Sequence, residues 1–165
     1  MNLVEAAAEA QQLAEAGDER ALADLRRRWD DEVEAAARDR DYRIRALAFR
    51  AIGQFQYRQK LALLERGLGD ESPACRGSAL VALESLSRDS PGIVNGVRGV
   101  LHNLVSADPN EAVRRLAALS LKNGSPQRET IVLLSGIAAD DDQPRDVRET
   151  AGKIAALLTK KSRRR

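Results

Sequence analysis

The amino-acid sequence predicts an all-α fold in which about nine helices stack as successive pairs into a solenoid. Three observations carry this prediction. One residue pattern recurs four times along the chain, apolar residues follow the helical period of 3.6, and no segment shows strand-like alternation. Pro, Gly and Asp residues separate the helical segments by short turns.

The composition is that of a folded domain whose core contains few aromatic side chains. Hydrophobic residues make up 43 % of the 165 residues, charged residues 32 %, and aromatic residues only 3 %. This balance excludes wholesale disorder. Ala, Leu, Val and Ile must therefore build the core, and small Ala side chains allow helices to approach closely.

The repeated pattern is an apolar residue, an arginine, two variable residues and an alanine. Its arginines are Arg45, Arg76, Arg114 and Arg148, spaced by 31, 38 and 34 positions. An aspartate stands six residues before each arginine, at Asp39, Asp70, Asp108 and Asp142. Proline fits the first turn of a helix, and an aspartate before it can accept unpaired backbone N–H groups. We therefore expect helices to begin near Asp41, Ser72, Pro109 and Pro144.

Second helical segments lie between these first helices. Apolar stripes predict them over residues 57–68, 91–105 and 126–138. The dipeptides Ser90-Pro91 and Ser125-Pro126 mark two of their starts. Residues 1–38 are predicted to form a capping helix pair. Residues 39–159 are predicted to form the repeats, in one continuous domain with that pair. A disordered basic tail is predicted over 160–165.

The segment from Asp108 to Ala117 resembles a HEAT repeat of the short type associated with phycobilin lyase subunits. The other three copies match more loosely. The resemblance implies a right-handed α-α superhelix of the HEAT or armadillo type, with second helices lining its concave face. It also implies that the recurring Asp and Arg residues form a ladder between neighbouring repeats. Such repeats serve many functions, so the resemblance specifies the fold more than the activity.

We predict no catalytic, cofactor-binding or metal-binding residue. His102 is the only histidine and Cys75 the only cysteine, which is too few for a catalytic triad or a structural zinc site. Cys75 is interpreted as a small buried hydrophobe, Trp29 as a core anchor, and Asp140 to Asp142 as a solvated loop. A HEAT-like DNA glycosylase and a relative of bilin lyases remain alternatives, although no active-site residue of either can be placed here.

The net charge of +2 depends on the tail. Lys160, Lys161, Arg163, Arg164 and Arg165 supply five basic groups, and the remaining 22 basic and 25 acidic residues give −3. A nucleic-acid-binding body is usually basic itself. The tail remains open to three interpretations, which are contact with phosphate backbones, contact with an anionic membrane, and a solubilising end.

The sequence therefore favours a non-enzymatic scaffold that binds a protein partner with an acidic or polar segment. Nucleic-acid binding through the groove and the tail is the alternative. Polar positions expected on the exposed sides of the second helices are the predicted concave-face contacts: Arg58, Arg66, Asn95, Arg98, His102, Asn103 and Arg128. Arg98 and His102, four residues apart, are expected to share one helix face. The sequence shows no apolar stretch of about 20 residues and no basic leader, so we expect a cytoplasmic location.

Overall fold

The computed structural model describes residues 1–164, and the basic residue Arg165 of the predicted tail lies outside them. Within these residues the chain forms ten α-helices and no β-strand, which confirms the all-α prediction. The helices are α1 (Leu3–Glu15), α2 (Glu19–Ala36), α3 (Tyr42–Gln54), α4 (Leu61–Leu68), α5 (Pro73–Ser87), α6 (Pro91–Asn95), α7 (Arg98–Ala107), α8 (Glu111–Ser120), α9 (Arg128–Ala138) and α10 (Arg145–Ser162). Short 3₁₀ turns occupy Arg58–Lys60 and Leu121–Asn123.

The chain divides into two compact units, which meet in sequence at the end of α5. Unit 1 covers residues 1–86 and unit 2 begins at Ser87. The sequence analysis had treated 1–159 as one continuous domain. In a stack of repeats each helix contacts mainly its sequence neighbours, so such an array separates readily into sub-blocks.

The repeat pattern places the first helices correctly. Helices α3, α5, α8 and α10 begin within two residues of the predicted positions. Asp41 and Asn110 show why, because each side chain accepts a hydrogen bond from a backbone N–H of the first turn. At α1 the same need is met by Asn2 and Glu5, whose side chains each accept the other residue's backbone N–H at 2.9 Å.

Unit 1 packs α1, α2 and α3 against one another, and α1 and α2 occupy the segment predicted as a capping pair. Its helices approach closely at Gly53, where an added Cβ would lie 2.8 Å from the Cα of Ala82. The rings of Phe55 and Tyr57 lie 5.1 Å apart at the end of α3. Trp29, expected as a core anchor, is only half-buried. All five aromatic residues of the chain belong to this unit.

The second helices depart from prediction in unit 2. The segment 91–105 is two helices, α6 and α7, because Gly96 and Val97 interrupt it. Glycines at 92, 96 and 99 lower the helix propensity of this stretch. Helix α9 begins at Arg128 and not at the Ser125-Pro126 pair that was expected to start it. The split raises the helix count from about nine to ten.

Unit 2 is a stack in which α10 packs on both α8 and α9, and α7 packs on α8. Its core is built from aliphatic side chains such as Leu101, Val105, Ala117, Leu134 and Leu158. Helix α10 continues to Ser162 and therefore passes the boundary predicted at Lys160. Lys161 is held there by a 2.7 Å hydrogen bond from its Nζ to the carbonyl oxygen of Lys122. No helix among residues 1–164 is both long and apolar enough to cross a membrane.

Candidate partner-binding surface

The ladder implied by the HEAT resemblance is present in unit 1 at Arg45. Its Nε and Nη2 donate to the two carboxylate oxygens of Asp70, each at 2.9 Å. The Nη1 group donates to the carbonyl oxygens of Asp39 and Arg40 at 3.0 and 3.1 Å. The side chains of Arg45 and Asp70 are only 12 % and 11 % exposed. This bidentate pair ties one repeat to the next, as fork-to-fork geometry permits.

The charge of Asp70 is stabilised where it lies. Burial alone would raise its pKa, but hydrogen bonds from Arg45 and from the Ser72 backbone N–H outweigh burial and hold the pKa below 3.8. The pair therefore carries its two opposite charges inside the repeat and needs no external partner.

The loop before each first helix uses its aspartate in one further way. The side chains of Asp39, Asp70 and Asp108 each accept the backbone N–H two residues later, at 2.8 to 2.9 Å. In the fourth loop Asp140 makes this turn, with Asp142 N–H as its donor. Asp142, which has the repeat spacing in the sequence, is therefore not the equivalent residue. Asp140 stands five residues before the first residue of α10, whereas each of the other three aspartates stands three residues before its helix.

The ladder weakens towards the end of the chain. Arg114 donates from Nη1 to the Asp108 carbonyl oxygen at 2.6 Å, and Arg148 lies 3.6 Å from the exposed carboxylate of Asp141. The Nε atoms of Arg114 and Arg148 are buried without a hydrogen-bond partner. The sequence pattern is regular, but the ion pairing that it suggests is not.

Arg98 departs most from its predicted role. It was expected on an exposed face, but only 8 % of its surface is exposed. Its Nη1 donates to Thr130 Oγ1 at 2.9 Å, and its Nη2 donates to the Ser125 carbonyl oxygen at 3.1 Å and to the Asn95 side-chain oxygen. Burial of a charged group is tolerated when hydrogen bonds satisfy its polar atoms, and these three acceptors receive such bonds from the guanidinium.

Arg98 has no carboxylate partner within residues 1–164, and its Nε has no acceptor. Burial lowers its pKa, while the charge of nearby Glu129 acts in the opposite direction. A guanidinium remains protonated in proteins, so this is a buried positive charge whose hydrogen-bond acceptors are all neutral.

His102 shares Thr130 with Arg98. Its Nε2 lies 2.9 Å from Thr130 Oγ1. Because that hydroxyl accepts from Arg98, its own hydrogen is free to be donated to an unprotonated Nε2. Burial lowers the pKa of His102, Glu129 opposes the shift, and Arg98 adds to it. The lowered pKa favours the neutral form of the imidazole, which is half-buried, whereas the sequence analysis placed it on the exposed side of its helix.

Asn95 and Ser125 complete this hydrogen-bond network around Arg98. The Asn95 Nδ2 donates to Ser125 Oγ at 2.9 Å, and its Oδ1 accepts from the Ser125 backbone N–H at 3.0 Å. Gly124 is needed beside them, because an added Cβ would lie 2.7 Å from Val94 and 3.3 Å from Arg98 Nη2. We call Asn95, Arg98, His102, Ser125 and Thr130 the Arg98 cluster.

The other predicted contact residues are exposed. Arg58 and Arg66 lie at the surface of unit 1, and Asn103 and Arg128 lie at the surface of unit 2. Arg66 also lines an open cleft of about 440 Å³ with the Arg45–Asp70 pair. The structure thus gathers Asn95, Arg98 and His102 into one cluster, to which the sequence analysis had not assigned Ser125 or Thr130.

Cys75 is buried, as predicted, and its Sγ lies 3.2 Å from the Tyr42 carbonyl oxygen. Burial raises the pKa of this thiol. Residues 1–164 contain no group of three or more His, Cys, Asp or Glu side chains placed to hold a metal ion.

The family model for HEAT repeats matches residues 32–102, from within α2 to within α7. This part of the chain is similar to HEAT repeats, which supports the resemblance suggested by the Asp and Arg spacing. The HEAT-repeat match does not distinguish the phycobilin-lyase type, which stays a prediction. A comparison with curated proteins found no match.

Proposed function

We propose that this protein is a non-enzymatic cytoplasmic scaffold that binds an acidic segment of a protein partner. HEAT repeats commonly serve as protein-interaction scaffolds, because stacked helices present an extended side-chain surface. The proposed contact surface in unit 2 is the Arg98 cluster together with the neighbouring exposed residues Asn103 and Arg128.

The buried charge of Arg98 is the observation that carries this proposal. Removing a guanidinium from water costs free energy, and within the described residues no carboxylate forms an ion pair with Arg98, so that the nearby charge of Glu129 offsets this cost only in part. An acidic side chain brought to the surface above it would experience a favourable potential in a region of low dielectric. Arg128, exposed at the start of α9, adds a second positive charge to the same unit.

Nucleic-acid binding is the second candidate, and the end of α10 favours it. Lys160, Arg163 and Arg164 are exposed there, whereas Lys161 is tied to the Lys122 carbonyl oxygen. Binding through phosphates weakens steeply with salt, by roughly one power of the salt concentration per phosphate contacted. A salt titration of the captured complex separates this candidate from the protein scaffold.

The test uses a charge reversal that leaves the buried cluster intact. Arg128→Glu should retain the helical circular dichroism of the wild type but reduce partner capture from native-host extract by about tenfold or more. Arg50→Glu is the matched control, because Arg50 is also an exposed arginine on a helix but lies in unit 1 on α3. Equal capture by both variants would refute the proposed surface.

A further inference from the structure

An open groove of about 750 Å³ runs between α9 and α10 in unit 2. Small side chains form its floor: Ser135, Ala138, Gly152, Ala155, Ala156 and Thr159. Lys160 and Arg163 line it as well, so one end of the groove is basic. Small residues allow another helix to approach α10 closely, since interaxial distance depends on the side chains at the contact.

The groove is uncovered in the described chain, as the equivalent position on α8 shows. Ala118 follows the repeat alanine of α8 and is completely buried, whereas Gly152, the equivalent residue of α10, is half-exposed. The nearest side chain to a Cβ added at Gly152 would be Ala138, at 3.5 Å, which is ordinary contact. Space for a further helix therefore exists on this face of α10.

Acidic and basic residues are segregated along α10 and the loop before it. Residues 140–149 hold five acidic groups, Asp140, Asp141, Asp142, Asp146 and Glu149, against Arg145 and Arg148, for a net charge of −3. Residues 150–164 hold five basic groups, Lys153, Lys160, Lys161, Arg163 and Arg164, and no acidic group, for a net charge of +5. A helix with this division is complementary to a second copy of itself laid antiparallel.

We propose that the α9–α10 groove binds α10 of a second copy of this chain, in an antiparallel twofold dimer. A twofold axis near Ala155 and Ala156 brings Glu149 of each copy within about one helical turn of the other copy's Lys160 and Arg163. Glu149 and Lys160 are exposed, and Arg163 follows the last turn of the helix. The small residues of the groove then pack at the centre of the interface.

The dimer is expected to be weak and sensitive to salt. One helix face of mostly small residues buries less than the roughly 1,600 Å² of a standard stable interface. Its charged ends are exposed, so screening at high ionic strength reduces their attraction. This inference does not depend on the Arg98 cluster, and either proposal can fail while the other stands.

Sedimentation equilibrium of the full chain over about a hundredfold concentration range tests the dimer. Two charge-reversed variants are made, Lys160→Glu with Arg163→Glu, and Asp142→Lys with Glu149→Lys. Each should dimerise at least about tenfold more weakly than the wild type, because like charges then meet at both ends. An equimolar mixture of the two should recover association as a heterodimer, since the reversed ends are again complementary.

A steric pair of variants tests the groove itself. Ala156→Arg places a long side chain into the groove from an exposed position and should abolish dimerisation with the helical signal retained. Leu157→Arg introduces the same side chain at the next residue, which does not line the groove, and should dimerise like the wild type. A wild type that stays monomeric throughout, or a mixture of reversed variants that does not associate, overturns the proposal.

Discussion

Arg45 in unit 1 and Arg98 in unit 2 are both largely buried arginines on helices, but their surroundings differ. Arg45 binds both oxygens of Asp70 and two backbone carbonyls. Arg98 binds a hydroxyl, an amide oxygen and one carbonyl. The first charge is neutralised by a bound carboxylate inside the fold, whereas the second donates hydrogen bonds only to neutral acceptors and has no carboxylate of residues 1–164 in contact with it.

This difference separates a structural arginine from a candidate functional one. A neutralised pair projects little potential beyond the protein surface, so Arg45 holds repeats together and offers little to a partner. A charge near the surface that no carboxylate contacts attracts anions, which is the basis of the acidic partner proposed for Arg98. Arginine content alone does not reveal which role a position has, and the acceptors must be identified.

The largest expected effect is the loss of the Arg45 ladder. Asp70→Ala removes both carboxylate acceptors and leaves the guanidinium unpaired, so the thermal midpoint of unit 1 should fall by roughly 10 °C. Since the pKa of Asp70 is lowered in the fold, its contribution is present above pH 3.8 and is lost as pH falls through the folded value. Thermal unfolding of unit 1, followed by the emission of Trp29 at neutral and acidic pH, measures both effects.

Asp142→Ala is the control for this ladder. Asp142 has the same spacing to its arginine in the sequence but is exposed, and Asp140 makes the turn in its place. Its replacement should change the free energy of unfolding by no more than about 0.5 kcal/mol. An Asp142→Ala variant as unstable as Asp70→Ala would show that the two loops are equivalent after all.

A smaller effect is expected from filling the space beside Arg98. Gly124→Ala places a Cβ 2.7 Å from Val94 and 3.3 Å from Arg98 Nη2, so it should cost about 1–3 kcal/mol in chemical denaturation. Gly99→Ala provides the contrast, because nothing lies within 4 Å of its added Cβ inside α7. That variant should be more stable by up to about 1 kcal/mol, because alanine is the better helix former.

The smallest effect concerns protonation of His102. Its pKa is lowered below 6.5 in the fold, so the unfolded chain takes up a proton more readily. The contribution of the neutral imidazole is complete above pH 6.5 and declines as pH falls towards the folded value. The midpoint of wild type should therefore drop between about pH 7.5 and about pH 5.5 more than that of His102→Gln. Parallel pH profiles for the two proteins would contradict a neutral buried imidazole.

Much of the fold was predictable because helix starts carry local chemistry. The pattern of Asp and Pro before an apolar stripe places four first helices within two residues. The second helices were harder, because Ser125-Pro126 has the residues of a helix start yet its Ser125 is used by Asn95 and Arg98. The break at Gly96 in turn depends on how several weak propensities combine.

The Arg98 cluster was predictable only in part. Arg98 and His102 were placed together from their spacing of four, which puts them on one helix face. We expected that face to be exposed because charged residues usually lie at the surface. Burial of Arg98 depends on Thr130 and Ser125, which lie 32 and 27 positions away and look like ordinary stripe and turn residues. No local pattern reveals such a partnership.

The aromatic residues are distributed unequally, so the two units differ in their absorbance and fluorescence. Trp29, Tyr42 and Tyr57 all lie in residues 1–86, and residues 87–165 contain no Trp, Tyr or Phe. Tryptophan emission and absorbance near 280 nm consequently follow unit 1 alone, whereas far-ultraviolet circular dichroism follows the helices of both. Overlaying the two unfolding curves of a single unlabelled sample therefore measures whether the units melt together or one after the other.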